Sequence, residues 1–299
     1  MNNAKPFVKW AGGKRGLLPQ LEKLLPSNFY KFEDVTYIEP FVGGGAMLFH
    51  MLKHHKNIRR AVINDMNADL IMCYQLVKDR PLELIERLQE YNSIYYNEDI
   101  ANQRELYYAF RDKFNRNDIN AADRAALFIV LNKTCFNGLY RENALGKFNV
   151  PCGRYKKPII CDEVTIMQDH LLLNSIELHI LPPGDYCRVS RNLSTKGQNF
   201  LYLDPPYRPL LNENNFKEYT RNPFGDKEQV LLKSFCDRLT KKGVLIMLSN
   251  SNSKNPDGSS FFEELYEGYD FKNVYAPRCI NAFPNKRSKL SEVLIRNYK

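Results

Sequence analysis

The sequence predicts an α/β fold in which one sheet domain is interrupted by a mostly helical insert. Residues 1–76 and 166–299 alternate short apolar runs with amphipathic stretches, whereas residues 77–165 show a helical period throughout. We therefore expect an α/β domain formed by residues 1–76 and 166–299, with a helical domain formed by residues 77–165 between its two parts.

The elements of the sheet domain follow from local patterns. "TYIEPFVGGGAMLFHML" predicts a strand, a glycine turn and a helix, and "RAVINDMNADLIMCYQLV" predicts a second strand, a short turn and a second helix. Further strands are predicted in "SIELHIL", "NFLYLD", "GVLIMLSNS", "FKNVYAP" and "EVLIRNY", with an amphipathic helix in "DKEQVLLKSFCDRLTKK". The insert has helices in "PLELIERLQEYNSIYYN", "NQRELYYAFRDKFNR" and "AADRAALFIVLNKTCFNGLYR".

Composition limits the classes of function. The seven cysteines of the 299-residue chain stand singly, without a C-x-x-C pair, so neither a metal site nor a disulfide framework is indicated. No apolar run approaches the length of a membrane span, and we expect a cytoplasmic protein. The formal net charge of +9 is compatible with a polyanionic partner such as nucleic acid.

The glycine turn at Gly43 to Gly45 is typical of a site where a ligand approaches the backbone closely. It is not the G-x-G-x-x-G fingerprint, because position 48 is Leu48. Asp65 ends the next strand about 20 residues later, where an acid suits the hydroxyls of a ribose. The alternative is an ordinary strand-to-helix turn with a solvated Asp65.

The strand "FLYL" ends in Asp204, Pro205, Pro206 and Tyr207. The two prolines remove backbone donors and fix two φ angles, so the strand cannot continue. The Asp204 carboxylate and the Pro205 carbonyl are two acceptors that could hold both hydrogens of an amino group, and Tyr207 could lie flat on the ring that carries that group. Such a pair would position a weakly nucleophilic amine and stabilise its developing positive charge. The alternative is a rigid strand end with a satisfied aspartate.

Together, "DPPY", "EPFVGGG" and "FVKWAGGK" resemble the S-adenosylmethionine-dependent adenine-N6 DNA methyltransferases. The order of the motifs matches the Dam group, and "LNKTCFNGLYREN…GKFNVPCGRYKKP" resembles the target-recognition segment of that group. The resemblance covers about residues 5 to 298. It implies a Rossmann-like methyltransferase sheet carrying an inserted, mostly helical DNA-recognition domain.

The resemblance also implies roles for individual residues. Asp204, Pro205, Pro206 and Tyr207 would hold a target adenine extruded from the duplex. The residues expected to bind S-adenosylmethionine are Trp10, Lys14, Phe41, Gly43, Gly45, Asp65, Asp185 and Asp204, with Lys14 near its carboxylate and Asp65 on its ribose.

The DNA-binding residues implied by the resemblance are Lys9, Phe136, Asn137, Leu139, Arg141 and Tyr155. Phe136 would fill the space left by the extruded base, and Asn137 would hold the orphaned partner. Leu139 would touch a thymine methyl, and Arg141 a guanine edge. Core packing for Phe136 and Leu139, and phosphate contact for Arg141 and Lys9, are the alternatives. Three cations of a hairpin before the last strand, Lys286, Arg287 and Lys289, could touch the DNA backbone or be solvated.

The function that the resemblance implies is methyl transfer from S-adenosylmethionine to adenine N6 of double-stranded DNA, in the sequence GATC. The enzyme is expected to act as a monomer, without a metal. The alternatives are the same chemistry at another sequence in a restriction-modification system, methylation of another amine, and an inactive DNA-binding relative. The intact Asp204 to Tyr207 corner argues against the last.

Overall fold

The structure is a computed structural model that describes residues 3–116, 118–208, 224–276 and 290–299. Its strands are β1 (Val35–Glu39), β2 (Ile58–Ile63), β3 (Glu177–Ile180), β4 (Gln198–Leu203), β5 (Leu245–Ser251), β6 (Asp270–Ala276) and β7 (Leu290–Arg296). The helices before the second half of the sheet are α1 (Leu18–Glu22), α2 (Ala46–His54), α3 (Ala68–Asp79), α4 (Pro81–Tyr96), α5 (Ile100–Phe114), α6 (Ala121–Thr134) and α7 (Glu163–Leu173). Two more follow, α8 (Asp226–Thr240) and α9 (Phe261–Leu265).

The seven strands form one sheet in the order β3-β2-β1-β4-β5-β7-β6. The first five strands of that order are parallel, whereas β7 runs antiparallel to both of its neighbours. The strand order reverses between β1 and β4, because the chain builds outward from β1 to β3 and then returns to place β4 on the other side of β1. In open α/β sheets, ligands bind at such a reversal, outside the carboxyl ends of the strands. The predicted α/β sheet and all seven of its strands are confirmed.

Both faces of the sheet are covered, which is why the central strands are continuous apolar runs instead of alternating patterns. Tyr37, Phe200 and Tyr202 point into the larger hydrophobic cluster, formed with the helices from α1 to α7. Ile38 and Leu201 point into the smaller cluster, formed with α8 and α9. The strands therefore project the residues at their carboxyl ends from a rigid core.

The inserted helices pack against the sheet domain through α3. α6 contacts α3, α4 and α5, and the Arg124 guanidinium of α6 pairs with Asp69 of α3, with 3.2 Å between Nη2 and Oδ2. The larger hydrophobic cluster continues without a break from the sheet into these helices. The two predicted boundaries, 76/77 and 165/166, fall within α3 and α7. The division into two domains stays a prediction.

Membrane-spanning helices and metal-binding clusters were sought in the described ranges alone. There, no helix has the length and apolar character needed to cross a membrane, and no cluster of three or more His, Cys, Asp or Glu side chains is arranged to hold a metal ion. The basic hairpin residues Lys286, Arg287 and Lys289 lie outside the described residues.

Candidate active site

One large cleft of about 1870 Å³ lies at the carboxyl ends of β1, β2 and β4. Three carboxylates enter it from these strands: Glu39 is the last residue of β1, Asp65 follows β2, and Asp204 follows β4. The cleft also receives the N-terminal segment around Trp10 and Lys14. The N-terminal segment and the ends of three central strands therefore meet at the strand reversal of the sheet.

The glycine turn after β1 is fixed by hydrogen bonds and by shape. Gly43 and Gly45 have φ values of 47° and 75°, a left-handed region that favours glycine. The Gly43 N–H donates to Oδ2 of Asp65 at 3.0 Å, and the Tyr74 hydroxyl donates to the Gly43 carbonyl at 3.0 Å. A β-carbon added to Gly43 would lie 2.7 Å from the Trp10 ring. The turn is thus held against Trp10, with its backbone facing the cleft.

Asp65 lines the cleft and has a structural role in the turn. Its Oδ1 accepts the N–H of Asn67 at 2.9 Å, and its Oδ2 accepts that of Gly43. Each carboxylate oxygen has two acceptor sites, so both oxygens can accept a further donor from a ligand. Burial raises the pKa of Asp65, and these backbone donors offset part of the rise.

An aromatic wall stands at the end of the cleft near Asp185. The Phe41 ring lies 5.4 Å from that of Tyr186 and 6.0 Å from that of Phe224. Asp185 begins the short 3-10 helix Tyr186–Asn192, and its Oδ1 accepts the Cys187 N–H at 2.7 Å. Tyr186 and Phe224 were not predicted as site residues. An apolar wall with a carboxylate at its edge suits a planar heterocycle.

The corner after β4 holds a buried charge cluster. The Lys14 ammonium, in a residue that is only 4% exposed, lies 2.9 Å from Oδ1 of Asp204 and donates to the Gly12 carbonyl at 2.8 Å. It also lies 4.7 Å from the centre of the Tyr207 ring. The Tyr207 hydroxyl donates to Oε2 of Glu292 at 2.7 Å. Burial raises the pKa of Asp204, and the adjacent Lys14 ammonium offsets part of the rise.

A buried polar pair supports this corner from behind. Gln229 of α8 donates from Nε2 to the Pro206 carbonyl at 3.4 Å, and Asn250 of β5 donates to Oε1 of Gln229 at 3.2 Å. Oδ1 of Asn250 accepts the Arg208 N–H at 3.3 Å. Both amide side chains are fully buried. The sequence analysis did not predict Gln229 and Asn250 as site residues, nor Glu292 and Glu39.

The predicted DNA-reading loop lies beside the cleft. Phe136 is 49% exposed and Leu139 is 38% exposed, so neither packs into the core. Asn137 has φ 54°, a left-handed conformation that asparagine tolerates better than most residues. The loop begins at Cys135, directly after α6, so it projects from a rigid helix. Core packing, the alternative for Phe136 and Leu139, is therefore wrong.

Two further predicted residues connect this loop to the cleft. The Lys9 ammonium lies 3.8 Å from the centre of the Tyr155 ring, and both residues line the cleft. Asn132 of α6 holds the Lys9 backbone on both sides, accepting its N–H at 2.8 Å and donating to its carbonyl at 2.7 Å. Arg141 does not line the cleft, and its Nε donates to Oδ1 of Asn149 at 2.7 Å.

The sheet is of the Rossmann-like methyltransferase type that the sequence implied, with its cleft at the strand reversal, and comparison with known proteins defines the family. The family model of the D12 class N6 adenine-specific DNA methyltransferases matches residues 10–280. The chain belongs to this family, and it is an adenine-N6-specific DNA methyltransferase.

Three relatives are similar over nearly their whole length. The type II methyltransferase M.MjaIII of Methanocaldococcus jannaschii is 42% identical over 297 residues, covering 98% of this chain and 99% of that protein. The type II methyltransferase M1.LlaDCHI of Lactococcus lactis subsp. cremoris is 38% identical, covering 99% and 96%. The DNA adenine methylase of Haemophilus influenzae is 33% identical, covering 97% and 92%.

Proposed function

We propose that this protein transfers the methyl group of S-adenosylmethionine to adenine N6 in the duplex sequence GATC, acting as a monomer in the cytoplasm. The single observation that carries the chemistry is the position of Asp204. Its carboxylate stands at the carboxyl end of a central strand, beside a buried cation that also faces the Tyr207 ring, and shares one cleft with the glycine turn.

The residues of the cleft fit an S-adenosylmethionine molecule. Gly43 and Gly45 bring backbone close to the cleft, and a side chain at either position would collide with Trp10 or Tyr74. Asp65 has acceptor capacity left for ribose hydroxyls. When bound, the cofactor supplies an activated methyl group on a sulfonium.

The other contacts of the cofactor are assigned by their chemistry. The aromatic wall of Phe41, with Asp185 at its edge, would hold the adenine ring. The Lys14 ammonium would hold the carboxylate of the cofactor from its position beside Asp204. Trp10 would support the glycine turn from behind.

The corner performs the positioning step. Asp204 and the Pro205 carbonyl accept the two hydrogens of the target amine, Pro206 fixes the turn, and Tyr207 stacks on the adenine ring. Two acceptors favour a pyramidal nitrogen whose lone pair points at the incoming methyl group. The nitrogen becomes acidic only once it carries the methyl, so Asp204 need not be a strong base.

The exposed loop supplies the recognition step. Phe136 fills the gap left by the extruded adenine, which offsets part of the few kcal/mol that extrusion costs. Asn137 contacts the orphaned partner base, Leu139 contacts a thymine methyl, and Arg141 contacts a guanine edge. Lys9 and Tyr155 form a further contact at the cleft rim. The match of "NGLYR" and "GRY" to members that read GATC supports this sequence.

A role in a restriction-modification system is a second proposal. Two of the relatives are named type II methyltransferases, and that supports it. The chemistry at the adenine amine is the same in both cases.

The test of the mechanism is Asp204→Ala. We expect the methyl-transfer rate to fall by at least about 100-fold, because an electrostatic contact to the reacting amine is lost. Duplex affinity should stay within about twofold, because binding depends mainly on phosphate contacts elsewhere. Asp79→Ala, which removes an exposed carboxylate of α3, is the matched control. Retained turnover in Asp204→Ala contradicts the mechanism.

A further inference from the structure

Glu292 brings a third group to the corner after β4 from a distant part of the chain. It lies on β7, in register with Ser251 at the end of β5, and its side chain is 15% exposed and lines the cleft. One oxygen, Oε2, accepts the Tyr207 hydroxyl at 2.7 Å and lies 3.8 Å from the Lys14 ammonium. Glu292 lies outside all of the sequence motifs that carry the family resemblance.

The contact with Tyr207 fixes the orientation of a ring. Pro205 and Pro206 fix the backbone before Tyr207, but not the side-chain torsions of the tyrosine itself. A hydrogen bond to an ionised acceptor is shorter and stronger than one between neutral groups. Because the acceptor is carried by a strand paired on both edges, the phenol is tied to a rigid part of the sheet.

The contact with Lys14 concerns charge. In the structure the ammonium lies between two carboxylates, closer to Asp204 than to Glu292. A lysine that is nearly fully buried needs an anion in contact with it, because an unpaired buried charge is costly. When Asp204 accepts a hydrogen from the target amine, part of its interaction with Lys14 is lost. Glu292 is placed to retain the ammonium at that moment.

We propose that Glu292 is a positioning residue for methyl transfer: it holds the Tyr207 ring in the orientation that stacks on adenine, and it retains Lys14 when Asp204 engages the amine. This inference rests on the proposed function of the corner. It predicts that Glu292 acts on the rate of the chemical step through Tyr207, and not on DNA affinity.

The experiment measures single-turnover methylation with enzyme and S-adenosylmethionine in excess. The substrate is unmethylated DNA that contains every tetranucleotide, so the result does not depend on GATC being the site. The variants are Glu292→Ala, Glu292→Gln, Tyr207→Phe and the double variant Glu292→Ala/Tyr207→Phe. Glu267→Ala, which removes an exposed carboxylate outside the cleft, is the control.

We expect Glu292→Ala to lower the rate constant by roughly tenfold or more, the value of a lost hydrogen bond to a charged group. Glu292→Gln should be intermediate, because the amide oxygen still accepts from the phenol but does not neutralise Lys14. The double variant should be no slower than the slower single variant, because both changes break the same contact. The DNA dissociation constant should stay within about twofold.

Three outcomes overturn the inference. The first is a Glu292→Ala rate equal to that of the wild type. The second is a double variant slowed by the product of the two single effects, which would show that the residues act independently. The third is a wild-type protein that labels no DNA, which contradicts the proposed function itself. If Glu292→Ala does not fold, Glu292→Gln, of nearly the same shape, decides the question, and a wild-type rate in that variant overturns the role assigned to the charge.

Discussion

The glycine turn gives a prediction whose size can be worked out from the structure. Gly45 has φ 75°, and a β-carbon added there would lie 2.3 Å from the Tyr74 hydroxyl. The hydroxyl would have to retreat by about 1 Å to reach an ordinary contact of 3.4 Å. That movement breaks its hydrogen bond to the Gly43 carbonyl. Gly45→Ala therefore combines a backbone cost, a packing cost and a lost hydrogen bond.

Each cost has a known order of magnitude. A left-handed conformation costs a non-glycine residue roughly 1–2 kcal/mol, overpacking costs about 1–3 kcal/mol, and the hydrogen bond contributes about 1 kcal/mol. We expect Gly45→Ala to lower the free energy of unfolding by roughly 3–6 kcal/mol. Gly243 has φ 76° and no atom within 4 Å of an added β-carbon. Gly243→Ala should therefore cost the backbone contribution alone.

The assay is urea unfolding of the wild type, both alanine variants, Tyr74→Phe and the double variant Gly45→Ala/Tyr74→Phe. Since Tyr74→Phe removes the hydroxyl that the new methyl group would strike, Gly45→Ala should cost at least about 1 kcal/mol less in that background. Equal costs of Gly45→Ala in the two backgrounds would refute the reasoning. So would a Gly45→Ala cost no larger than that of Gly243→Ala.

Three further predictions concern specificity, pH and stability. Arg141→Ala should reduce discrimination against a wrong base by about 1–3 kcal/mol in methylation of matched and single-mismatch duplexes. A loss of methylation rate that is equal for all sequences would instead make Arg141 a phosphate contact. Lys14→Met should move the acid limb of the kcat/KM profile to higher pH. Asp204 must be ionised to accept from the amine, and Lys14 lowers the pKa of Asp204. An acid limb at the wild-type pH would contradict this. Burial raises the pKa of Asp169 to about 8, above an unfolded value of about 3.9, so its contribution to stability is lost as the pH rises between these values. Asp169→Asn should therefore be more stable than the wild type in urea unfolding at pH 8 but not at pH 4, and an equal gain at both pH values would show that ionisation is not the cause.

The elements that the sequence predicted well are those with a local signal. Buried parallel strands are short apolar runs, and β4 and β5 could be identified for that reason. The glycine turn and the Asp204 corner are contiguous motifs, so their residues are found together in the sequence. Helix α7 was not predicted as an element, and the second of the two predicted domain boundaries, 165/166, lies inside it.

The supporting residues of the site had no local signal. Glu292 reaches the corner because β7 inserts between β5 and β6, and that pairing is not visible in the residues around it. Gln229 and Asn250 are single amides on an amphipathic helix and an apolar strand. The pairing of Lys14 with Asp204 also depends on how the N-terminal segment crosses the end of the sheet. Tertiary placement, and not local sequence, decides these contacts.

The most direct test of the central claim is transfer of labelled methyl from S-adenosylmethionine to a set of duplexes. The set contains GATC, each of its single-base variants, and GATC in which the adenine amine is already methylated. We predict labelling of the unmethylated GATC duplex alone, and its loss when the amine is methylated beforehand. Equal labelling of the premethylated duplex would contradict transfer to adenine N6, and labelling of a variant in place of GATC would contradict the proposed recognition sequence.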